Sequence, residues 1–377
     1  MSTDKRARGW VEVGAGALRR NYLRIQETVG PGVRIIPMVK ADAYGLGMLD
    51  AVAALEPLDP WGYGVAAVQE GLTLRASGLA KPVGVFSPAP PDAYPGAVRE
   101  ELALSVSDIG ALVLLKEAAL QAGVPGRFHL EVDTGMGRAG FDWRRAKEWV
   151  PAVRDLLGPG LNWEGVFTHF HSADVDDPGP TTTQWEHFRE ALEVLAPLPD
   201  GCMIHACNSP GALRLPAYAE DAVRPGIFLY GGVAGDGIPS PEPVASIRAR
   251  VVFVREAPPG STVGYNSTYQ ARDHELWATA AIGYGDGLPR LLSNRGSALV
   301  RGKRVPIIGR ISMDVTVLDV TSLPGVSPGE VATFLGSDGL ETITLEEVAG
   351  EAGTIGHEIL TGLTTRLPRV WVDDEGG

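Results

Sequence analysis

Pro37-Met38-Val39-Lys40-Ala41-Asp42-Ala43-Tyr44-Gly45-Leu46-Gly47 sets a lone lysine directly after a short apolar run and before a glycine-bearing turn. A lysine delivered into a dry site loses part of its ammonium's stability, so its pKa falls and its amine becomes nucleophilic. The plainer alternative is a lysine paired with a neighbouring carboxylate. Two arginines stand beside glycines, in Thr134-Gly135-Met136-Gly137-Arg138 and in Arg224-Pro225-Gly226-Ile227. The glycines beside them make surface or interface pairing the less favoured role for either arginine. His169-Phe170-His171, with Asp174 and His205 following, has a spacing that can bind zinc in a metal-dependent hydrolase. Two histidines two residues apart also arise by chance, and that reading leaves Arg224 and the glycine motifs without a task.

These residues need elements to hold them. From about residue 34 to 230, short apolar runs alternate with longer segments amphipathic at helical spacing. The expected strands are Ile35–Val39, Tyr63–Ala67, Val83–Ser87, Leu102–Val106, His129–Asp133, Glu164–His169, Met203–Cys207 and Ala222–Ile227. Helical stretches between them include Met48–Leu55, Gln69–Ser77, Ile109–Ala122 and Thr183–Leu195. Alternating strands and helices imply a parallel sheet, and eight such units suit an α/β fold of the (β/α)8 TIM-barrel type. Lys40, Arg138, His169, Asn208 and Ser209 then fall at strand C-terminal ends, where barrel enzymes carry their sites, and Arg224 falls within the eighth run.

After Gly232 the texture changes. Pro239, Pro241 and Pro243 form a hinge into short alternating runs: Ile247–Val254, Leu276–Ile282, Ala298–Val300, Val305–Ile308, Val315–Val320 and Val331–Leu335. Two domains follow from this, a barrel over residues 1–240 and a mainly β domain over 241–377. The early run Gly9–Val13 is placed to pair with the second.

The 377 residues are 44% hydrophobic and 21% charged, enough to bury a large core. The net charge of −13 and the lack of any Lys/Arg-dense stretch argue against nucleic-acid binding, which rests on phosphate neutralisation. Cys202 and Cys207 give neither a disulfide framework nor a metal cluster. Met1 leads into the charged segment Asp4, Lys5, Arg6 and Arg8, with no secretory or membrane-crossing run. A soluble, cytoplasmic protein is expected.

The motifs together resemble the alanine racemase family. Val39–Gly47 resembles its cofactor-lysine motif, and Asp133–Arg138 its Asp-Thr-Gly-Met-Gly-Arg motif. Thr168-His169-Phe170, Asn208-Ser209 and Val223–Ile227 match in order, as do Gly264-Tyr265 with Tyr269, Gly283–Gly287 and Gly309–Asp314. The resemblance implies pyridoxal 5′-phosphate carried covalently on Lys40, and a homodimer with shared active sites. Lys40 would move the substrate's α-proton on one face, and Tyr265, from the partner subunit, on the other. A tyrosine with an ordinary pKa of ~10 needs a positive neighbourhood or a partner such as His169 to act as a base. Arg224 would face the cofactor's ring nitrogen and keep it unprotonated, which disfavours a similar decarboxylase, usually served by an acidic partner there. Tyr44, Ser209, Gly226 and Ile227 would hold the phosphate. Arg138 would meet the cofactor's phenolic oxygen and the substrate carboxylate, and the Met313 backbone would orient the substrate. No metal is expected. A non-enzymatic cofactor-carrying barrel would give residues 240–377 no purpose.

Four positions depart from the family pattern. Leu46 replaces a histidine and Ser312 a cysteine, both of small consequence. Glu131 stands where many members carry a carbamylated lysine, and is expected to supply that negative charge and fix Arg138. His357, in Thr354-Ile355-Gly356-His357-Glu358, stands where the family has a tyrosine that touches the phosphate and narrows the entrance. An imidazole can still donate to phosphate but differs in shape. Looser substrate selection, extending to serine, is therefore expected.

Overall fold

The computed structural model describes residues 7–373. Asp4, Lys5 and Arg6 of the charged segment, and the last four residues of the expected second domain, lie outside the described residues. Among the described residues eight short parallel strands follow one another around a curled sheet in the order Arg34–Ile35, Ala222–Val223, Met203–His205, Leu161–Phe167, Gly126–Asp133, Ala103–Val106, Val83–Val85 and Tyr63–Val65, and a ninth, Phe141–Asp142, pairs off this path with Gly126–Asp133. The two end strands meet: Trp61 N donates to Ile35 O, Gly64 N to Pro37 O and Val39 N to Gly64 O, with a parallel bridge at Met38 and Gly64. This closes the barrel expected from the sequence.

The first expected strand, Ile35–Val39, is shorter than its apolar run. Pro37 has no N–H to give a ladder, so regular pairing stops at Ile35 and the chain continues to Lys40 on single bridges. The eighth run also breaks early: the strand ends at Val223, and Ile227–Tyr230 winds into a 3-10 turn. Arg224 therefore follows its strand rather than lying within it.

Helices cover the outside for legible reasons. Ile109–Ala122 begins where Asp108 accepts from Ala111 N (2.8 Å) and ends at Gly123 with φ 71°, the usual pair of capping devices. Met48–Leu55 also forms as read. Ala15–Val29 and Ala146–Leu156 are two further helices that the sequence reading passed over.

A second, nine-stranded sheet takes the order Glu341–Ile343, Val331–Asp338, Ser297–Val300, Lys303–Ile308, Thr316–Asp319, Glu275–Ala280, Ala245–Ala257, Gly9–Gly14 and Arg369–Val372. Gly9–Gly14 pairs antiparallel with Ala245–Ala257 and parallel with Arg369–Val372, so the chain's start joins its end. Two helices, Leu345–Ala352 and Gly356–Thr361, interrupt the β pattern, and the second carries His357. Among the described residues no helix is long and apolar enough to cross a membrane.

Candidate active site

Parallel strands deliver their C-terminal ends to one rim of a barrel. Lys40, Arg138, His169, Asn208, Ser209 and Arg224 all follow such ends. With Tyr44, Gly226, Ile227 and His357 they line one cavity of about 900 Å³, the size of a site for a cofactor and a small substrate. Tyr265 and Met313 do not line it. They stand on the second sheet's side of the chain, 66% and 50% exposed.

Lys40 opens an unusual turn. Ala41, Asp42, Ala43 and Tyr44 all have positive φ, between 51° and 56°, a left-handed turn that costs non-glycine residues roughly 1–2 kcal/mol each. The surroundings hold it there. Glu70 accepts from Ala41 N (2.6 Å) and from Ala66 and Ala67 N. Asp42 Oδ1 accepts from Met48 N at 2.7 Å. From the second sheet, Arg369 Nε donates to Gly45 O (2.8 Å) and Trp371 Nε1 to Leu46 O (3.2 Å). Gly45 itself has φ 83°, and a Cβ there would overlap Leu360 O. The turn thus depends on both halves of the chain.

The Lys40 amine is pulled below the ordinary lysine range, first by burial and then by the charge of Arg138, with Glu70 opposing and Arg224 adding. Arg224 is buried and its Nη atoms donate to Thr168 O (2.8 Å), Ala206 O (3.1 Å), His205 O (3.2 Å) and His205 Nδ1. It has no carboxylate partner among the described residues, and burial lowers it to about 10. Its Nε carries no bond to the described residues. His169 is pushed down to about 3 by burial, then by Arg224, Arg138 and Lys40. It is therefore a neutral ring near neutral pH.

Asp133 Oδ1 accepts from Gly135 N and Gly137 N, both at 3.0 Å, and folds the loop that presents Arg138. Arg138 is exposed and carries no salt bridge among the described residues. Glu131 does not fix it. Its Oε2 accepts instead from Ser105 Oγ (3.1 Å) and Ser107 Oγ (2.9 Å), hydroxyls of the neighbouring strand and its end. Tyr44 stacks on Tyr230 at 4.8 Å and tilts toward His357 at 5.9 Å. A Cβ on Gly226 would overlap the Tyr44 hydroxyl, so only glycine lets that hydroxyl pack against the backbone there. Gly226 N donates to Ser209 Oγ at 2.8 Å. Asn208 spends its Oδ1 on Gly211 N (3.1 Å), capping the turn that carries Ser209.

The histidines do not assemble into a metal site. His205 is engaged by Arg224 and His129, while His171 Nδ1 meets Ser172 Oγ at 2.5 Å. Among the described residues no group of three or more His, Cys, Asp or Glu side chains is disposed to hold a metal. Three groups went unread in the sequence: Glu70, His129 and Gln184. Gln184 Nε2 donates to Thr134 Oγ1 (3.2 Å) and His169 O (3.1 Å), and its Oε1 accepts from His171 N (2.9 Å), tying two site loops together. Glu70 stands at the third position of the helix Val68–Ala76 and reaches back to the N–H groups of Ala66 and Ala67 just before it; with alanine where a Ser or Thr cap would stand, the sequence carried only half of the usual signal.

Residues 13–234 match the family profile described as "Alanine racemase, N-terminal domain", and residues 244–371 match "Alanine racemase, C-terminal domain". A protein of Halothermothrix orenii named alanine racemase is 35% identical over 98% of each chain. The crystal structure of alanine racemase from Bacillus anthracis with bound L-Ala-P superposes with a TM-score of 0.91 at 31% identity, covering 98% of this chain and 96% of that one. The Bartonella henselae alanine racemase, solved with covalently bound pyridoxal phosphate, gives 0.87 at 27% identity, covering 97% and 100%.

Proposed function

This chain belongs to the alanine racemase family, and from that premise we propose that it interconverts L- and D-alanine as a cytoplasmic homodimer using pyridoxal 5′-phosphate. The observation that carries the reading is the cavity itself: Lys40, Arg138 and Arg224 converge on it, and neither arginine has a carboxylate partner among the described residues. Three cations in a chain of net charge −13 suit an anionic ligand with phosphate and carboxylate groups. The Tyr44 hydroxyl, packed against Gly226 at the cavity wall, is a donor for the same group.

Lys40 would hold the cofactor through its amine, as a covalent link is reported for the Bartonella protein. The Tyr44 hydroxyl, Ser209 and the N–H groups of Gly226 and Ile227 would hold its phosphate, with His357 beside them and Asn208 keeping Ser209 in place. The unpartnered Nε of Arg224 would meet the ring nitrogen. Arg138 would meet the phenolic oxygen and the substrate carboxylate. When bound, the cofactor's ring supplies the electron sink that makes an amino acid's Cα proton removable.

The protein's part is to move that proton between two faces. The lowered pKa of Lys40 eases it toward the neutral amine that takes a proton on one face. One base alone returns the starting enantiomer, so a second must act opposite. Tyr265 is exposed and outside the cavity of its own chain, so it serves the cavity of a second copy. There the neutral His169 ring can accept a hydrogen bond from its hydroxyl, and the charges of Arg138 and Arg224 favour its ionised form. Met313 of that copy would orient the substrate through its backbone. Residues 1–240 then form the cofactor-binding domain and 241–377 the domain that presents Tyr265 and Met313, with Gly9–Gly14 joining the latter's sheet.

His357 beside Tyr44 supports a second substrate, serine, because an imidazole leaves the entrance less filled than a phenol. Chiral chromatography of L-alanine and L-serine after incubation with the cofactor-supplemented protein tests both readings. D-product from the wild type and none from Lys40→Ala is the expected result. D-product at equal rates from both proteins would overturn it.

A further inference from the structure

Behind Arg224, away from the cavity, lies a pair of buried histidines that the racemase reading leaves without work. His205 ends the strand Met203–His205 and His129 lies within Gly126–Asp133; both are essentially inaccessible to solvent. His205 Nε2 and His129 Nδ1 are 2.8 Å apart. His205 stacks on Phe167 with centroids 5.2 Å apart and 7° between planes, and Phe86 meets both imidazoles edge-on.

The protons in this chain are fixed by chemistry. A guanidinium has donors and no acceptor, so the His205 Nδ1 that faces Arg224 Nη1 must offer a lone pair. The His205 proton then sits on Nε2 and donates to His129 Nδ1, which must also be an acceptor. That leaves the His129 proton on Nε2, where it has no partner among the described residues. A second proton on either ring would set donor against donor, so both rings stay neutral. Burial, followed by the charge of Arg224, pulls both well below the ordinary histidine range.

The backbone is shaped around His129. A Cβ on Gly165 of the adjacent strand would overlap its Nδ1, and the pairing of those strands shifts register between Phe128 and His129. We infer that His129 is a positioning residue for this site: by accepting the Nε2–H of His205 it holds the tautomer that presents a lone pair to Arg224, and so sets the guanidinium's angle toward the cavity. A carboxylate in place of His205 would hold Arg224 as firmly but would cancel its charge. Two neutral rings in series hold it with the charge intact. The inference rests on the reading that Arg224 faces the cofactor ring.

Nitrogen-15 long-range correlation spectra of the apoprotein test it directly, without the cofactor. In the wild type both His129 and His205 are expected as neutral Nε2–H tautomers. In His129→Leu, which keeps the bulk and removes the acceptor, the His205 Nε2–H is stranded and the ring is freed to turn away from Arg224, so a fraction of the Nδ1–H form is expected. Pyridoxal phosphate affinity, followed by fluorescence, should then fall about tenfold, with a shifted absorption band of the bound cofactor. His129→Asn restores an acceptor oxygen near Nδ1 and should recover tautomer, band and affinity. A role in stability alone would lower the melting temperature and leave tautomer and band unmoved, which overturns the inference. So does a wild-type His205 protonated on Nδ1. If His129→Leu does not fold, the wild-type tautomers and His129→Asn decide. A wild type that takes up no pyridoxal phosphate counts against the proposed function, while the apoprotein tautomers still judge His129.

Discussion

Gly226→Ala adds one methyl group at the most crowded corner of the cavity. The new Cβ overlaps the Tyr44 hydroxyl and stands 2.9 Å from its Cζ, so the tyrosine must move. Its room to do so is small. Tyr44 is buried and stacked on Tyr230, which is itself buried with its hydroxyl donating to Met38 O at 2.9 Å. Inserting a methyl into such a place costs about 1–3 kcal/mol. At roughly 2–4 °C per kcal/mol for a chain of this order of size, the apoprotein's melting temperature should fall by several degrees. The same displacement removes Tyr44 from the proposed phosphate site, and pyridoxal phosphate binding should weaken by about tenfold or more. Tyr44→Phe deletes the overlapping oxygen. Combined with Gly226→Ala it should recover part of the melting temperature, with a coupling of about 1 kcal/mol. Thermal unfolding of the apoprotein and fluorescence titration of the cofactor read the two effects separately. Strict additivity of the two substitutions, or a Gly226→Ala protein that melts and binds as the wild type does, would refute this packing account.

Arg224→Leu should destabilise the apoprotein by at least about 3 kcal/mol, because it strands the carbonyls of Thr168, His205 and Ala206 and the His205 lone pair; denaturant titration measures it. Acid should weaken the fold through His129, His169 and His205. Burial lowers all three from 6.5, to about 3 for the first two. The unfolded chain takes up protons below about pH 6.5 while the folded chain does not, so their contribution is complete above that pH and is lost as pH falls toward 3. The slope is up to roughly 4 kcal/mol per pH unit for three such groups, and a flat unfolding free energy between pH 6.5 and 4.5 would contradict it. His357→Tyr should lower kcat/KM for L-serine relative to L-alanine by roughly tenfold, the scale on which a filled apolar volume discriminates; steady-state kinetics on both substrates checks the ratio.

Much of this was legible because it follows from local periodicity and glycine chemistry. Met48–Leu55 and Ile109–Ala122 form as the spacing of their apolar residues requires, and the rim residues follow the strands that carry them. Ala15–Val29 was readable but unread: Leu18, Tyr22 and Ile25 are buried at helical spacing. Pro151 inside Ala146–Leu156 disguised another helix. What no local pattern holds is partnership across strands. Glu131 finds Ser105 and Ser107 only because the barrel sets their strands side by side. His129 and His205 meet across 76 positions of sequence. The left-handed turn after Lys40 is likewise invisible locally, since Arg369 and Trp371 at the far end of the chain help to hold it.

The central claim is that Lys40 and Tyr265 act on one substrate from two copies of the chain, and complementation tests it most directly. Lys40→Ala and Tyr265→Phe proteins, each inactive alone in L-to-D alanine conversion, are co-refolded or co-expressed and assayed as a mixture. If Tyr265 serves the partner's cavity, each mixed dimer holds one intact site, and random pairing should restore roughly a quarter of the wild-type activity. A mixture as inactive as its two components would contradict the shared site.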